Sequence, residues 1–238
     1  FVPEAVGAAG VGDTPPITQY ISVYFSPDIE VNSDAGSTLA ANNDNIRQWN
    51  DQSGNDNTLN QTSASLQPIW KEDYFSSGNS AIYAKNDGLL LTSVLSPSTD
   101  TDFTVYYVYK RDSTSNTSYM FRGTVSSYYP FTDLRSGSHL WRDKSGGTAV
   151  NNAYTATLNT EIACSTFDRT SGEGKLYINN VLQVTYSLSA SRNFDSYNRF
   201  FSNTTHGVHY GNCLWFLGDA HDASEVETMS DWLNDKYS

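Results

Sequence analysis

The run Phe103-Thr-Val-Tyr-Tyr-Val-Tyr-Lys110 constrains this chain more than any other stretch. Several β-branched or aromatic residues follow one another, which is strand chemistry. A strand with no polar face reads as covered on both sides. Other strand signals surround it. Tyr20 to Phe25 alternates, with Tyr20, Ser22 and Tyr24 on one side and Ile21, Val23 and Phe25 on the other. Tyr119 to Gly123 is a shorter candidate. Glu161 to Asp168 and Lys175 to Ile178 flank the turn Thr170-Ser-Gly-Glu-Gly174, and Asn179-Asn180 makes a tight turn into Val181 to Tyr186. Val208 to Leu217 closes the set. The last segment changes period. Asp222 and Glu225 have the spacing of a capping box, and Val226, Met229, Trp232, Leu233 and Tyr237 recur at helical spacing.

The length of 238 residues fits one large all-β domain as well as two small ones. Charged residues are only 17% of the chain, while Ser, Thr and Asn are abundant, giving a neutral-polar surface. The net charge of -12 excludes binding to a nucleic acid backbone and opposes docking on anionic membranes. No apolar run approaches the roughly 18 residues of a membrane span. Phe1 to Pro16, rich in Ala, Gly, Val and Pro, reads as an extended arm or linker, and residues 17–238 as the domain. Phe1 to Gly12 lacks the basic start and apolar centre of a signal peptide. The arm is either disordered or docked on a neighbouring subunit of a homo-oligomer or larger assembly. Cys164 and Cys213 read as two buried thiols, with a disulfide between neighbouring strands as the alternative.

The segment Ile46 to Gln67 is dense in turn chemistry. Trp49 supplies a large apolar anchor whose indole N–H needs a partner. Asp51 to Asn57 favours Asx-turns, and Gly54 accepts positive φ. The reading is a structural corner clamped by Trp49. The alternative is a calcium loop with Asp51, Asn55 and Asp56 as oxygen ligands, although no EF-type spacing occurs. No strand carries the paired carboxylates of a sandwich glycosidase, and Glu225 and Glu227 face different directions on a helix. No nucleophile elbow, P-loop or dinucleotide fingerprint occurs, so no residue is assigned a catalytic role and no cofactor other than calcium is expected. His206 and His209 would lie on opposite faces of a strand, which opposes a zinc pair. For glycans, Tyr128, Tyr129, Trp141 and Arg142 combine aromatics with polar neighbours in loop-rich sequence. The same residue types also suit sheet-edge packing or a protein–protein contact. The sequons at Asn60, Asn116 and Asn203 matter only in a eukaryotic secretory host.

Several of these motifs, in order, resemble the concanavalin A-like lectin/laminin-G (LamG) superfamily, in the version found in phage virion and bacterial surface proteins. Trp49-Asn-Asp-Gln-Ser-Gly-Asn-Asp-Asn57 is similar to its opening motif, and Tyr20 to Asp28 to its first strand. Asp87-Gly88-Leu89-Leu90 looks like its short turn into an apolar strand, and Phe103 to Val108 like its central strand. Thr166-Phe-Asp168 with Gly174 to Leu182 resembles its T-Y-D … L-Y-V-N-G hairpin, with Asn180 where glycine is usual. Ser224 to Tyr237 resembles its closing helix, while Cys213 to Gly218 departs from the strand before it. The resemblance implies an all-β, two-sheet antiparallel jelly-roll sandwich with a short C-terminal helix, often with calcium at its rim. It also implies a non-enzymatic structural or adhesion protein on a virion surface or otherwise extracellular, such as a capsid decoration or fibre. Its partners would be other virion or surface-assembly subunits, through the arm, and cell-surface glycans. A carbohydrate-binding module is the first alternative function, and a glycan-cleaving hydrolase or lyase the second.

Overall fold

Phe103–Arg111 is a strand buried along both faces, and a different layer covers each face. Phe103, Val105, Tyr107 and Tyr109 enter one core, while Tyr106 and Val108 enter another. The two-residue period of a strand imposes this partition. The computed structural model describes residues 14–36, 38–85, 88–95, 101–115, 118–123, 132–135, 138–141, 150–152, 154, 157–187, 197–202 and 207–238. Phe1 to Asp13, and with them most of the expected arm, lie outside the described residues.

In chain order the strands are β1 (Ile21–Phe25), β2 (Val31–Asn32), β3 (Gln48–Trp49), β4 (Leu59–Asn60), β5 (Ile69–Lys71), β6 (Ala81–Ala84), β7 (Leu89–Leu95) and β8 (Phe103–Arg111). There follow β9 (Ser118–Gly123), β10 (Thr132–Arg135), β11 (Ser138–Trp141), β12 (Val150–Asn152), β13 (Glu161–Asp168), β14 (Glu173–Ile178), β15 (Val181–Ser187), β16 (Tyr197–Ser202) and β17 (Val208–Leu217). One helix, α1 (Ala223–Tyr237), comes last. Antiparallel pairing gathers the strands into two sheets. The first runs β15-β14-β13-β8-β17-β6-β5, with β1 on the second half of β17. The second runs β12-β11-β10-β9-β16-β7-β4-β3-β2. This is the expected all-β sandwich of jelly-roll type with a C-terminal helix.

Trp49, Leu59, Leu89 and Phe200 of the second sheet meet Phe25, Val105, Tyr107 and Trp215 of the first in the core between them. On the outer face of the first sheet, Val226, Met229, Leu233 and Tyr237 of α1 cover Tyr24, Tyr106, Val108 and Phe216. Each such side chain contributes about 1.5–3 kcal/mol relative to exposure. The helix starts at the expected capping box. Asp222 Oδ1 accepts from Ser224 N and Glu225 N, and Glu225 Oε2 accepts from Asp222 N. The thiols of Cys164 and Cys213 are free and buried on opposite faces of this sheet, which rules out a disulfide between them. Burial pushes both thiols well above the usual range.

Two expectations need correction. Tyr20 is not in the first strand; it has φ 62°, and β1 starts at Ile21. A bulge between Ile21 and Val23 then moves Ile21 from the inner set to the helix side, beside Tyr24. The turn after β13 is also shorter than expected, since Glu173 and Gly174 already pair in β14.

Trp49 is fully buried, and its Nε1 donates to the Ser26 carbonyl at 2.8 Å. Asp51 holds the adjoining corner. Its Oδ1 accepts from Tyr24 N and Ser53 N at 2.8 and 2.9 Å, and its Oδ2 from Ser53 Oγ and Asn57 N at 2.7 and 3.1 Å. Asn55 Nδ2 donates to the Ile21 carbonyl at 2.9 Å, and Asp56 adopts φ 55°. Removing the carboxylate leaves several backbone donors without their acceptor, so Asp51→Ala should lower unfolding free energy in urea by about 2–4 kcal/mol. If the corner is only a clamp, millimolar calcium and EDTA will leave the wild-type midpoint in place. A calcium-dependent rise would instead give Asp51, Asn55 and Asp56 a metal.

Candidate functional site

Where the helix cover stops, the outer face of the first sheet turns polar. The last outward positions of β8 are Tyr106, Val108 and Lys110; the first two lie in the core under α1, and Lys110 lies beyond it. Tyr237 ties the helix end to the sheet. Tyr237 Oη donates to Asn212 Oδ1 at 2.6 Å and accepts from Asn212 N at 2.9 Å. Gly211 and Asn212 form the bulge of β17. A Cβ on Gly211 would come within 2.8 Å of the Tyr237 ring, so glycine is what lets the ring seat there.

The result is a cleft of about 420 Å³, within the size range of small-ligand sites. The sheet contributes Lys110 and Ile162, and the helix end Asn234, Tyr237 and Ser238. Asn159 and Thr160 come from the segment before β13, and Ser76 from the β5–β6 connection. Asn179 comes from the β14–β15 turn, where Asn179 and Asn180 take φ 49° and 62° as a two-residue hairpin requires. Asn179 Oδ1 accepts from Ile162 N at 2.8 Å. Its Nδ2 makes no hydrogen bond to the described residues, and neither do the side chains of Ser76, Asn159, Thr160 and Asn234. Two of the helix-end carbonyls are occupied, Asn234 O by Ser238 N and Lys236 O by Asn79 Nδ2. Among the described residues no carboxylate side chain lines the cleft, although the chain carries 26 acidic residues.

Lys110 also links the cleft to an aromatic cluster. Its Nζ lies 5.4 Å from the centre of the Tyr74 ring. Tyr74 stacks on His209 with ring centres 3.6 Å apart and planes within 7°, and Tyr83 packs against the same imidazole at 4.6 Å. Burial pushes Tyr74 up to about 12, with Asp112 and Tyr83 adding to it. Burial pulls His209 down to about 4; Lys71 and Lys110 act the same way, and Asp112 opposes them. At neutral pH the imidazole is therefore uncharged. Its 3.3 Å contact with Asp112 Oδ1 is a hydrogen bond from Nε2–H rather than an ion pair.

Two other polar clusters are built into the structure. Arg111 pairs with Glu161 at 3.5 Å inside the sandwich, and both are almost fully buried. Glu161 also accepts from Tyr154 Oη, Thr157 N and Thr157 Oγ1. At the helix start, Asp219 is raised by burial, then by Glu225, Asp102 and Asp222. Asp222 and Glu225 cap the helix, and Asp102 accepts from Arg169 N at 2.7 Å. Among the described residues, no group of three His, Cys, Asp or Glu side chains is placed to hold a metal ion.

Of the glycan candidates read from sequence, Tyr128, Tyr129 and Arg142 lie outside the described residues. Trp141 ends β11, where its backbone pairs with Thr132 and Val150. His206 lies outside as well. Sequence assigns none of the cleft residues a binding role; Asn179 and Tyr237 read there as a turn and a helix face. Lys110 carried the one available signal, a charge ending the outward-facing set of an otherwise apolar strand.

No protein-family model and no curated sequence matches the chain. Solved structures do. The binding domain of Paraclostridial Mosquitocidal Protein 1 matches with a TM-score of 0.64 at 14% identity, over 90% of this chain and 52% of that one. The receptor binding domain of botulinum neurotoxin D gives 0.62 at 10% identity, over 90% and 53%. The botulinum neurotoxin serotype G binding domain gives 0.63 at 16% identity, over 89% and 50%. This chain thus spans about half the length of each structure. At such identities the likeness establishes the β-sandwich fold.

The buried imidazole predicts how stability depends on pH. The folded pKa of His209, about 4, lies below its ordinary 6.5, so between these values the unfolded chain binds more protons. Stability is therefore lost as pH falls from 6.5 towards 4. His221, also lowered by burial, acts in the same direction. Between pH 7 and 4.5 the wild type should lose about 2–3 kcal/mol more than His209→Gln in urea unfolding. Equal losses would contradict a neutral buried His209.

Proposed function

We propose that this chain is a non-enzymatic binding domain that works outside the cell and takes a saccharide in the cleft beside Tyr237. The observation that carries the proposal is the set of unused hydrogen-bonding side chains there. Asn159, Thr160, Asn179, Asn234 and Ser76 line one concavity and leave donors without partners in the described chain. A sugar offers hydroxyls of matching capacity. The likeness to toxin binding domains supports a binding role, and those domains belong to a mosquitocidal protein and to neurotoxins. Membership of the LamG-like group and placement on a phage particle rest on the sequence motifs, with the segment Phe1–Pro16 as the attachment to neighbouring subunits.

A glycan array probed with the whole chain tests the saccharide reading. Asn159→Ala combined with Asn234→Ala should weaken any hit at least tenfold, about 1.4 kcal/mol. Trp141→Ala combined with Arg142→Ala separates the cleft from the patch read from sequence. Loss of binding in that second pair alone would move the site there. An array without hits would defeat the saccharide reading altogether.

A further inference from the structure

We infer that Lys110 reads charge in the cleft, so that the preferred ligand is a saccharide carrying an anionic group, a carboxylate or a sulfate. This rests on the cleft being a saccharide site. In a chain with 26 acidic and 14 basic residues, a lysine finds a carboxylate easily. Lys175 pairs with Glu173 at 2.7 Å, and Lys236 with Asp28 at 3.4 Å. Lys110 makes no ion pair and no hydrogen bond to the described residues. Its ammonium instead lies 5.4 Å from the centre of the Tyr74 ring, in a cation–π contact that restrains it beside the cleft.

The charged groups around it leave that ammonium available. His209 is its direct cross-strand partner on β17 and is neutral at pH 7. Asp112, two residues on, is engaged by His209 Nε2 at 3.3 Å. The partial negative charge of the helix end is blunted, because Ser238 N and Asn79 Nδ2 already occupy the carbonyls of Asn234 and Lys236. A free ammonium flanked by neutral amides, with no acidic side chain among the described lining residues, suits an anion that also presents hydroxyls. A neutral sugar would leave the charge of Lys110 unused, and a cationic one would be repelled by it.

Calorimetric titration of the whole chain can use trigalacturonate, its methyl ester and a κ-carrageenan tetrasaccharide. The ester keeps the sugar skeleton and removes the charge, while the carrageenan fragment carries sulfate without carboxylate. At least one anionic probe should bind about tenfold tighter than the neutral ester, the scale of one added charge-assisted hydrogen bond. That gap should close in Lys110→Met, persist in Lys110→Arg and shrink as salt rises. Which anionic probe binds tells carboxylate from sulfate. Affinity for both anionic probes no greater than for the neutral ester, or unchanged anion binding in Lys110→Met, would overturn the inference. Neutral binding that is lost in the Asn159→Ala, Asn234→Ala variant would then leave the saccharide site standing. No binding by any probe, with no array hit, would overturn both.

Discussion

A strand that is apolar on both faces needs two covers, and the architecture follows from supplying them. Between the sheets, Phe103, Val105, Tyr107 and Tyr109 of β8 meet the second sheet, including Trp49 and Phe200. On the other side Tyr106 and Val108 would face water without α1 and the segment carrying Phe75. Burial of such residues is the largest favourable term available to this chain. The capped helix start, the bulge at Gly211 and Asn212, and the Tyr237 hydroxyl all serve to seat that second cover.

The candidate site is the boundary of the same cover. A helix of 15 residues ends at Tyr237, and the first outward position of β8 beyond it is Lys110. Buried polar groups must be paired, whereas groups at an edge need not be. Arg111 and Glu161, deep inside, are therefore held against each other, while Lys110 and the amides of Asn159 and Asn234 remain available. The preceding loop extends the same edge, since it brings Tyr74 onto His209 and Ser76 into the lining.

Much of the fold was legible because its signals are local. The capping box at Asp222 and Glu225, the double-sided β8 and the Asn179-Asn180 turn each carry their own chemistry within a few residues. The short strands β2 to β6 were not legible, since pieces of two to four residues hold no period. The bulge in β1 was hidden for a related reason. Alternation from Tyr20 to Phe25 looks unbroken in sequence, and only pairing with Phe216 and Trp215 reveals the slip at Ile21. The cleft was the least legible part. Ser76, Lys110, Asn159, Asn179 and Asn234 are far apart in sequence, and no spacing links them. Aromatics in loop-rich sequence such as Tyr128 and Trp141 draw attention, whereas a polar cleft assembled by a helix end has no local signature.

The central claim is that the edge of the helix cover is where ligand binds. Amide chemical-shift mapping of the labelled chain, during titration with trigalacturonate or any saccharide found on an array, tests it most directly. Binding at this edge should confine the shifts to Lys110, Asn159, Thr160, Asn179 and Asn234 with their neighbours. Saturable shifts centred on residues 128–142, with the helix end silent, would contradict it.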